Sequence, residues 1–220
     1  MGKNKLKRFA ELETMERVFQ PGVREPVVNF FLQGKWNGLV FHNEHPIVAE
    51  LGCGRGEYTT NMAMMVPGKN FIGIDKKGAR LWKGAKTANE ENILNAAFLR
   101  IPIEQLHHYF LPGEIDEIWI TFPDPQPQKT RENTRMTSPR FLEMYKSLLP
   151  PNGIVHLKTD NPFLFDYTLE KVKEMNCNIK VATQDLYNEI FTDEILSITT
   201  TYEKRYLAEG IKICYLRFSF

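Results

Sequence analysis

Short apolar runs alternate with longer amphipathic stretches through most of the chain. HPIVAELGCG (residues 45–54) is an apolar run that breaks into glycines, and NFIGID (70–75) is a second one that ends in an acid. AAFLRI (96–101), EIDEIWITF (114–122) and GIVHLKTD (153–160) follow. Between them the spacing predicts helices over 58–65, 77–91, 138–149 and 162–175, with Pro162 near the start of the last, where a proline is tolerated. Strands alternating with helices at this spacing build a parallel, doubly wound sheet with right-handed crossovers. The tail differs. NIKVATQDLY (178–187) and IKICYLRFSF (211–220) predict a closing pair of strands separated by a long insertion around TTTYEKRYLAEG. The expected class is therefore α/β, a mostly parallel sheet with an antiparallel C-terminal strand.

One stretch resists assignment to either element. In TFPDPQPQKTRENTRMTSPR (121–140) an apolar run ends in prolines at 123, 125 and 127 around Asp124, then turns polar and basic. Each proline removes a ladder donor and fixes its own φ, so the segment is a loop. Loops of this length in compact domains tend to be functional or disordered.

In a doubly wound sheet, ligands bind beyond the carboxyl ends of the strands, where the strand order reverses. The first strand-to-helix turn reads Glu50-Leu51-Gly52-Cys53-Gly54-Arg55-Gly56-Glu57. Its glycines permit a tight turn and close backbone approach to a ligand. Glu57 breaks the G-x-G-x-x-G pattern and would repel a pyrophosphate at the helix start, so a ligand without phosphate is preferred. Asp75, 21 residues beyond Gly54, ends the second strand where a carboxylate accepts both hydroxyls of a ribose. Glycines at 52, 54 and 56 with these acids point to S-adenosylmethionine. A helix cap is the plainer role for an acid at a strand end.

Composition narrows the class without naming a partner. The 220 residues fit one domain, taken as 21–220 behind a basic arm at 1–20, where Lys3, Lys5, Lys7 and Arg8 crowd the first ten residues without an acid. The net charge is only +1, so any nucleic-acid contact must be local. No apolar run approaches the ~20 residues of a membrane span, and the start lacks the apolar stretch of a secretory signal. A cytoplasmic protein without membrane attachment is expected, with monomer and homodimer both open. Cys53, Cys177 and Cys214 lack metal-ligand spacing and read as small apolar residues, and no metal is expected.

The segments VFHNEHPIVAELGCGRGEY, FIGID, FPDPQPQK, HLKTDNPFLFDY and TTYEKRYLAEG occur in the order found in bacterial tRNA (guanine-N(7)-)-methyltransferases, which the chain resembles from about residue 40 to its end. The resemblance implies a Rossmann-like class I methyltransferase fold, S-adenosylmethionine as cofactor and tRNA as partner, with methylation of a variable-loop guanine. It places cofactor contacts on Glu50, Gly52, Gly54, Gly56, Asp75 and Asp124, with Pro102 and Ile103 beside the adenine, and makes Asp124 the catalytic aspartate. Substrate contacts fall on Gln128, Lys129, Asp160, Thr200, Thr201, Tyr202 and Glu203. Three positions depart from the family: Gln126 stands where a tryptophan is usual, Gln128 where a lysine is, with Lys129 one step later, and Pro102 where an acid or amide is usual near the adenine.

The implied chemistry suits these residue types. Guanine's ring nitrogen 7 is an exposed acceptor carrying a lone pair and no proton, so it needs no general base. An aspartate accepts two donors from the opposite edge of the base and favours a cationic product. Asp124 and Asp160 are the candidates, although Asp124 also suits its own turn and Asp160 a cap before Pro162. Lys129, Arg131, Arg135 and Lys158, with the arm, are candidates for the RNA backbone. Thr200 and Glu203 also match capping-box spacing. An exocyclic amino-methyltransferase using Asp124-Pro125-Gln126 and a non-catalytic RNA-binding module remain alternatives.

Overall fold

The computed structural model describes residues 3–22, 25–189 and 193–220. The chain runs through α1 (Lys3–Glu13), β1 (Val18–Phe19), β2 (Ile47–Leu51), α2 (Glu57–Met65), β3 (Asn70–Ile74), α3 (Gly78–Glu90) and β4 (Ala96–Leu99). It continues through β5 (Glu117–Thr121), α4 (Pro139–Leu148), β6 (Ile154–Thr159), α5 (Pro162–Glu174), β7 (Asn178–Thr183), α6 (Thr201–Ala208) and β8 (Cys214–Ser219). The strands form one sheet in the order β1-β4-β3-β2-β5-β6-β8-β7. All pairings are parallel except those of β8, which lies antiparallel between β6 and β7.

Every residue of β2, β3, β4 and β5 is buried, because helices cover both faces. That is why these strands read as continuous apolar runs rather than as alternating ones. The observed strands are shorter than the apolar runs, since the flanking residues turn into the loops. Two apolar clusters fill the interior, one containing Ile72, Ile118, Leu142 and Leu216, the other Tyr58, Leu81, Phe98 and Trp119.

Within the expected basic arm, residues 3–13 form a helix docked on α3. Leu12 is fully buried, Arg8 stacks 4.7 Å from the Trp82 ring centroid, and the Trp82 indole donates to Glu11 at 2.6 Å. Lys5 and Lys7 are exposed. Residues 1 and 2 lie outside the described residues.

The insertion between β7 and β8 packs across the carboxyl ends of the strands. Its anchor is Lys158, whose side chain is fully buried. The ammonium donates to Glu203 at 2.8 Å, to Tyr187 at 3.2 Å, and to the carbonyls of Ile198 and Leu196 at 3.0 and 3.4 Å. Burial pushes the Lys158 pKa down, and Glu203 opposes that shift. Removing one partner of such a pair strands the other charge in the interior, at a cost of about 3–5 kcal/mol.

Candidate active site

The chain leaves β2 toward one side of the sheet and β5 toward the other, so the strand order reverses between them. The carboxyl ends of these two strands frame a cavity of about 110 Å³ lined by Glu50, Gly52, Cys53, Gly54, Arg55, Glu57, Tyr58, Arg80, Thr121, Phe122, Thr200 and Tyr202. The first wall is the glycine turn. The N–H groups of Gly52 and Cys53 both donate to the Ile74 carbonyl, at 2.8 and 3.1 Å, which bends the chain back over β3. Gly52, Gly54 and Gly56 all have positive φ, as the turn requires.

Gly56 has a second function. A Cβ there would stand 2.6 Å from the Phe98 ring and 3.0 Å from the Gly84 Cα, and one on Gly84 would stand 2.7 Å from the Gly56 Cα. The start of α2 therefore crosses α3 backbone to backbone. Gly84 was not singled out in the sequence, because nothing local marks a helical glycine as a crossing point.

Two acids flank the turn. Asp75 accepts the Gly54 N–H at 3.0 Å on one oxygen and the Lys77 N–H at 2.7 Å on the other. Each oxygen keeps a lone pair for a further donor, as a ribose diol requires. Glu50 is buried and accepts from the Thr59 N–H at 2.8 Å, from the Thr59 hydroxyl, and from the Thr121 hydroxyl at 2.7 Å. Burial pushes its pKa up to about 7, against the pull of these bonds. Among the described residues no lysine or arginine pairs with it. A buried carboxylate without a cation, lining a cleft that also holds Arg55 and Arg80, suits a ligand carrying an ammonium, a sulfonium and a carboxylate. The residues present thus fit S-adenosylmethionine. Pro102 and Ile103 follow β4 at half-buried positions, Pro102 capping a short 3₁₀ turn over Ile103–His108, and neither lines the cavity.

The other wall is the proline loop. Phe122 and Gln126 have φ of 49° and 43°, and the Asp124 carboxylate accepts the Gln126 N–H at 3.2 Å. Asp124 is exposed and supports its own turn, as an aspartate between prolines does. The loop is held by Arg135, which is 4% exposed. Its guanidinium donates to the carbonyls of Gln126 at 3.1 Å and Pro127 at 3.4 Å, and lies 4.9 Å from the Phe163 ring centroid and 4.3 Å from that of Tyr167. Arg135 and Lys158 were candidates for contact with the RNA backbone. Both are buried inside the fold, and their cationic heads are spent on protein groups.

Asp160 ends β6, next to β5. It does not cap α5. The cap is Asn161, which accepts the Leu164 N–H at 2.9 Å. Asp160 is half-buried, and burial raises its pKa. Gln128 and Lys129 are exposed at the outer end of the proline loop.

The Thr200–Glu203 stretch divides by role. Thr200 and Glu203 form a capping box at the start of α6. Glu203 is fully buried on Lys158 and Tyr187, so this expected substrate contact is an internal one. Thr201 is held by Glu57, which accepts its N–H at 2.7 Å and its hydroxyl at 2.9 Å. Glu57 therefore sits at the N-termini of two helices, favourable for a carboxylate at both. Tyr202 is exposed at the cavity rim, 5.6 Å from the Arg55 guanidinium.

Comparison with known proteins agrees with this geometry. A family model described as "Putative methyltransferase" matches residues 44–216. A tRNA (guanine-N(7)-)-methyltransferase of Christiangramia forsetii is 50% identical over 218 residues, covering 98% of this chain and 97% of that one. Its namesake in Bacteroides thetaiotaomicron is 46% identical, covering 99% and 86%. Among solved structures, the 16S rRNA methyltransferase KamB superposes with a TM-score of 0.65 at 15% identity, covering 93% of this chain and 98% of that one. A 16S rRNA (adenine(1408)-N(1))-methyltransferase of Catenulisporales acidiphilia gives 0.59 at 14% identity, covering 84% and 90%. At such identities the likeness speaks for the Rossmann-like methyltransferase fold alone.

Proposed function

The chain belongs to the tRNA (guanine-N(7)-)-methyltransferase family, and from that premise we propose that the cleft beyond β2 and β5 is its reaction site and that the target is a guanine of the tRNA variable loop. The reaction is transfer of a methyl group from S-adenosylmethionine to ring nitrogen 7 of a guanine in tRNA. The cofactor supplies an electrophilic methyl group on a sulfonium. Ring nitrogen 7 has a free lone pair and no proton to lose, so the site needs no base and works by holding the base in line. Orientation of this kind is worth up to roughly 7–11 kcal/mol of barrier in favourable cases.

Glu50, Gly52, Gly54, Gly56 and Asp75 hold the cofactor, with Pro102 and Ile103 beside its adenine and Asp124 at its reactive end. Asp124 and Asp160 accept the donors on the far edge of guanine, and their negative charge favours the cationic product. Tyr202, exposed at the rim, offers a plane for an unstacked base. Gln128 and Lys129 contact RNA at the outer end of the loop. Thr200, Thr201 and Glu203 shape the rim from behind. All these residues belong to one chain, so the reading needs no second subunit, and it puts the protein in the cytoplasm with its tRNA.

The observation that carries the assignment is the pairing of two aspartates at the ends of adjacent strands. Asp124 is exposed on a braced turn after β5, and Asp160 is half-buried at the end of the neighbouring β6, released from capping by Asn161; neither lines the cavity itself. Incubation with methyl-labelled S-adenosylmethionine and unmethylated tRNA, followed by mapping of the label, tests it. Label on ring nitrogen 7 of a variable-loop guanine is expected. Label on an exocyclic amine, or at another loop, would overturn the assignment.

A further inference from the structure

The loop after β5, the expected RNA cradle, is poor in available charge. Arg135 is buried and faces Glu132, and Arg131 donates to Gln126 at 3.4 Å, leaving Lys129 as the exposed cation of the loop with neither an ion pair nor a hydrogen bond among the described residues. The opposite flank of the cleft is richer. A groove of about 440 Å³ between α1 and α3 is lined by Arg8, Arg55, Ala79, Arg80, Trp82, Lys83 and Tyr202. Four of these seven are cations, two are aromatic and none is an acid, in a chain whose net charge is only +1.

Arg55, Arg80 and Tyr202 also line the cofactor cleft, so groove and cleft are continuous. Among the described residues, neither Arg55, Arg80 nor Lys83 is ion-paired, and all three are exposed. The acids nearest to the groove are already engaged, Glu11 by the Trp82 indole and Lys7, and Glu57 by Thr201. Stacking fixes the cations at its two ends, Arg8 on Trp82 and Arg55 on Tyr202. Arg8 also donates to the Ala79 carbonyl at 3.3 Å.

Unpaired cations beside aromatic planes, free of acids and opening into the site of an unstacked base, suit a phosphodiester strand. We infer that the α1–α3 groove holds the tRNA backbone flanking the target guanine, and that it carries more of the electrostatic affinity than the loop after β5. This rests on tRNA being the substrate. It gives α1 a function: the helix docks so that Arg8 completes one side of the groove.

The test measures tRNA affinity as a function of salt for Lys83→Ala, for Arg8→Ala/Lys83→Ala, and for Lys129→Ala/Arg131→Ala on the opposite flank. Each phosphate contact contributes roughly 0.7–0.9 to the slope of log affinity against log salt. The groove double variant should flatten that slope by about 1.5 and weaken binding about tenfold at low salt, while the loop double variant changes it less. Lys83→Arg, which keeps the charge, should retain wild-type affinity and slope. Unchanged affinity and slope in the groove variants, or a larger effect from the loop pair, would overturn the inference. So would a matching loss in Lys83→Arg. Label mapping with the wild-type protein is read separately, so failure of the groove and failure of the tRNA assignment are distinguishable.

Discussion

The turn after β2 and the loop after β5 face each other across one cleft, and they are held by opposite means. The turn is fixed by backbone: three glycines at positive φ, two amides on the Ile74 carbonyl, and a helix crossing with no side chain between Gly56 and Gly84. The loop is fixed by a side chain, with Arg135 pinned between two aromatic rings and donating to two carbonyls. A cofactor of constant shape can be met by rigid backbone. A segment braced by one side chain from its far end owes its shape to a single distant residue instead.

The sharpest way to break this contrast is Gly56→Ala. The new methyl group meets Phe98 and Gly84 in a left-handed conformation, and the αL strain and overpacking together should cost about 4 kcal/mol in urea unfolding. A small change would mean that backbone contact does not set the turn. On the loop side, Asp124→Ala should lower kcat about a hundredfold or more while cofactor affinity stays near wild type, because the loss falls on charge and position in the transition state. An equal fall in cofactor affinity would move Asp124 to the other side of the comparison.

Glu50 supplies a pH signature for the turn side. Burial raises its pKa to about 7, so the folded protein keeps a proton that the unfolded chain releases near 4.5. This contribution favours the folded state fully below pH 4.5 and is lost as pH rises to 7, by ~3 kcal/mol at about 1.4 kcal/mol per pKa unit. Urea titrations of wild type and Glu50→Gln should therefore diverge in favour of the variant across that window. Parallel curves would mean that the carboxylate is ionised throughout.

Arg135→Lys tests the loop's clamp directly. The charge remains, but a lysine cannot reproduce the planar fork or its stacking. A loss of about tenfold in kcat with unchanged cofactor affinity is expected, each charge-assisted bond being worth ~1.5–3 kcal/mol. Full activity would show that the prolines alone hold Asp124. The smallest effect should come from Glu57→Gln, which keeps the contacts to Thr201 but removes a charge from two helix N-termini, for about 1 kcal/mol in melting experiments.

The same division explains what could be read from the sequence. The parallel strands, the glycine turn with Asp75 and the capping box of Thr200 and Glu203 are local patterns, and each stands where periodicity or spacing put it. The roles of Arg135 and Lys158 were misread, because burial depends on partners distant in the chain: Phe163 and Tyr167 for one, Tyr187 and Glu203 for the other. Strand β1 has only two residues and carries no periodicity, yet it closes the sheet edge against β4. Helix α1 read as a basic arm because cations dominate its start, and Leu12, the residue that docks it, comes after them.

Helix α6 is eight residues long and mostly exposed, a length that frays readily when isolated. Its first turn is tied through Glu203 to Lys158 within the sheet and through Thr201 to Glu57 at the head of α2. Its hydrogen-bonded amide protons should therefore exchange with solvent more slowly than those of an untied helix of this length.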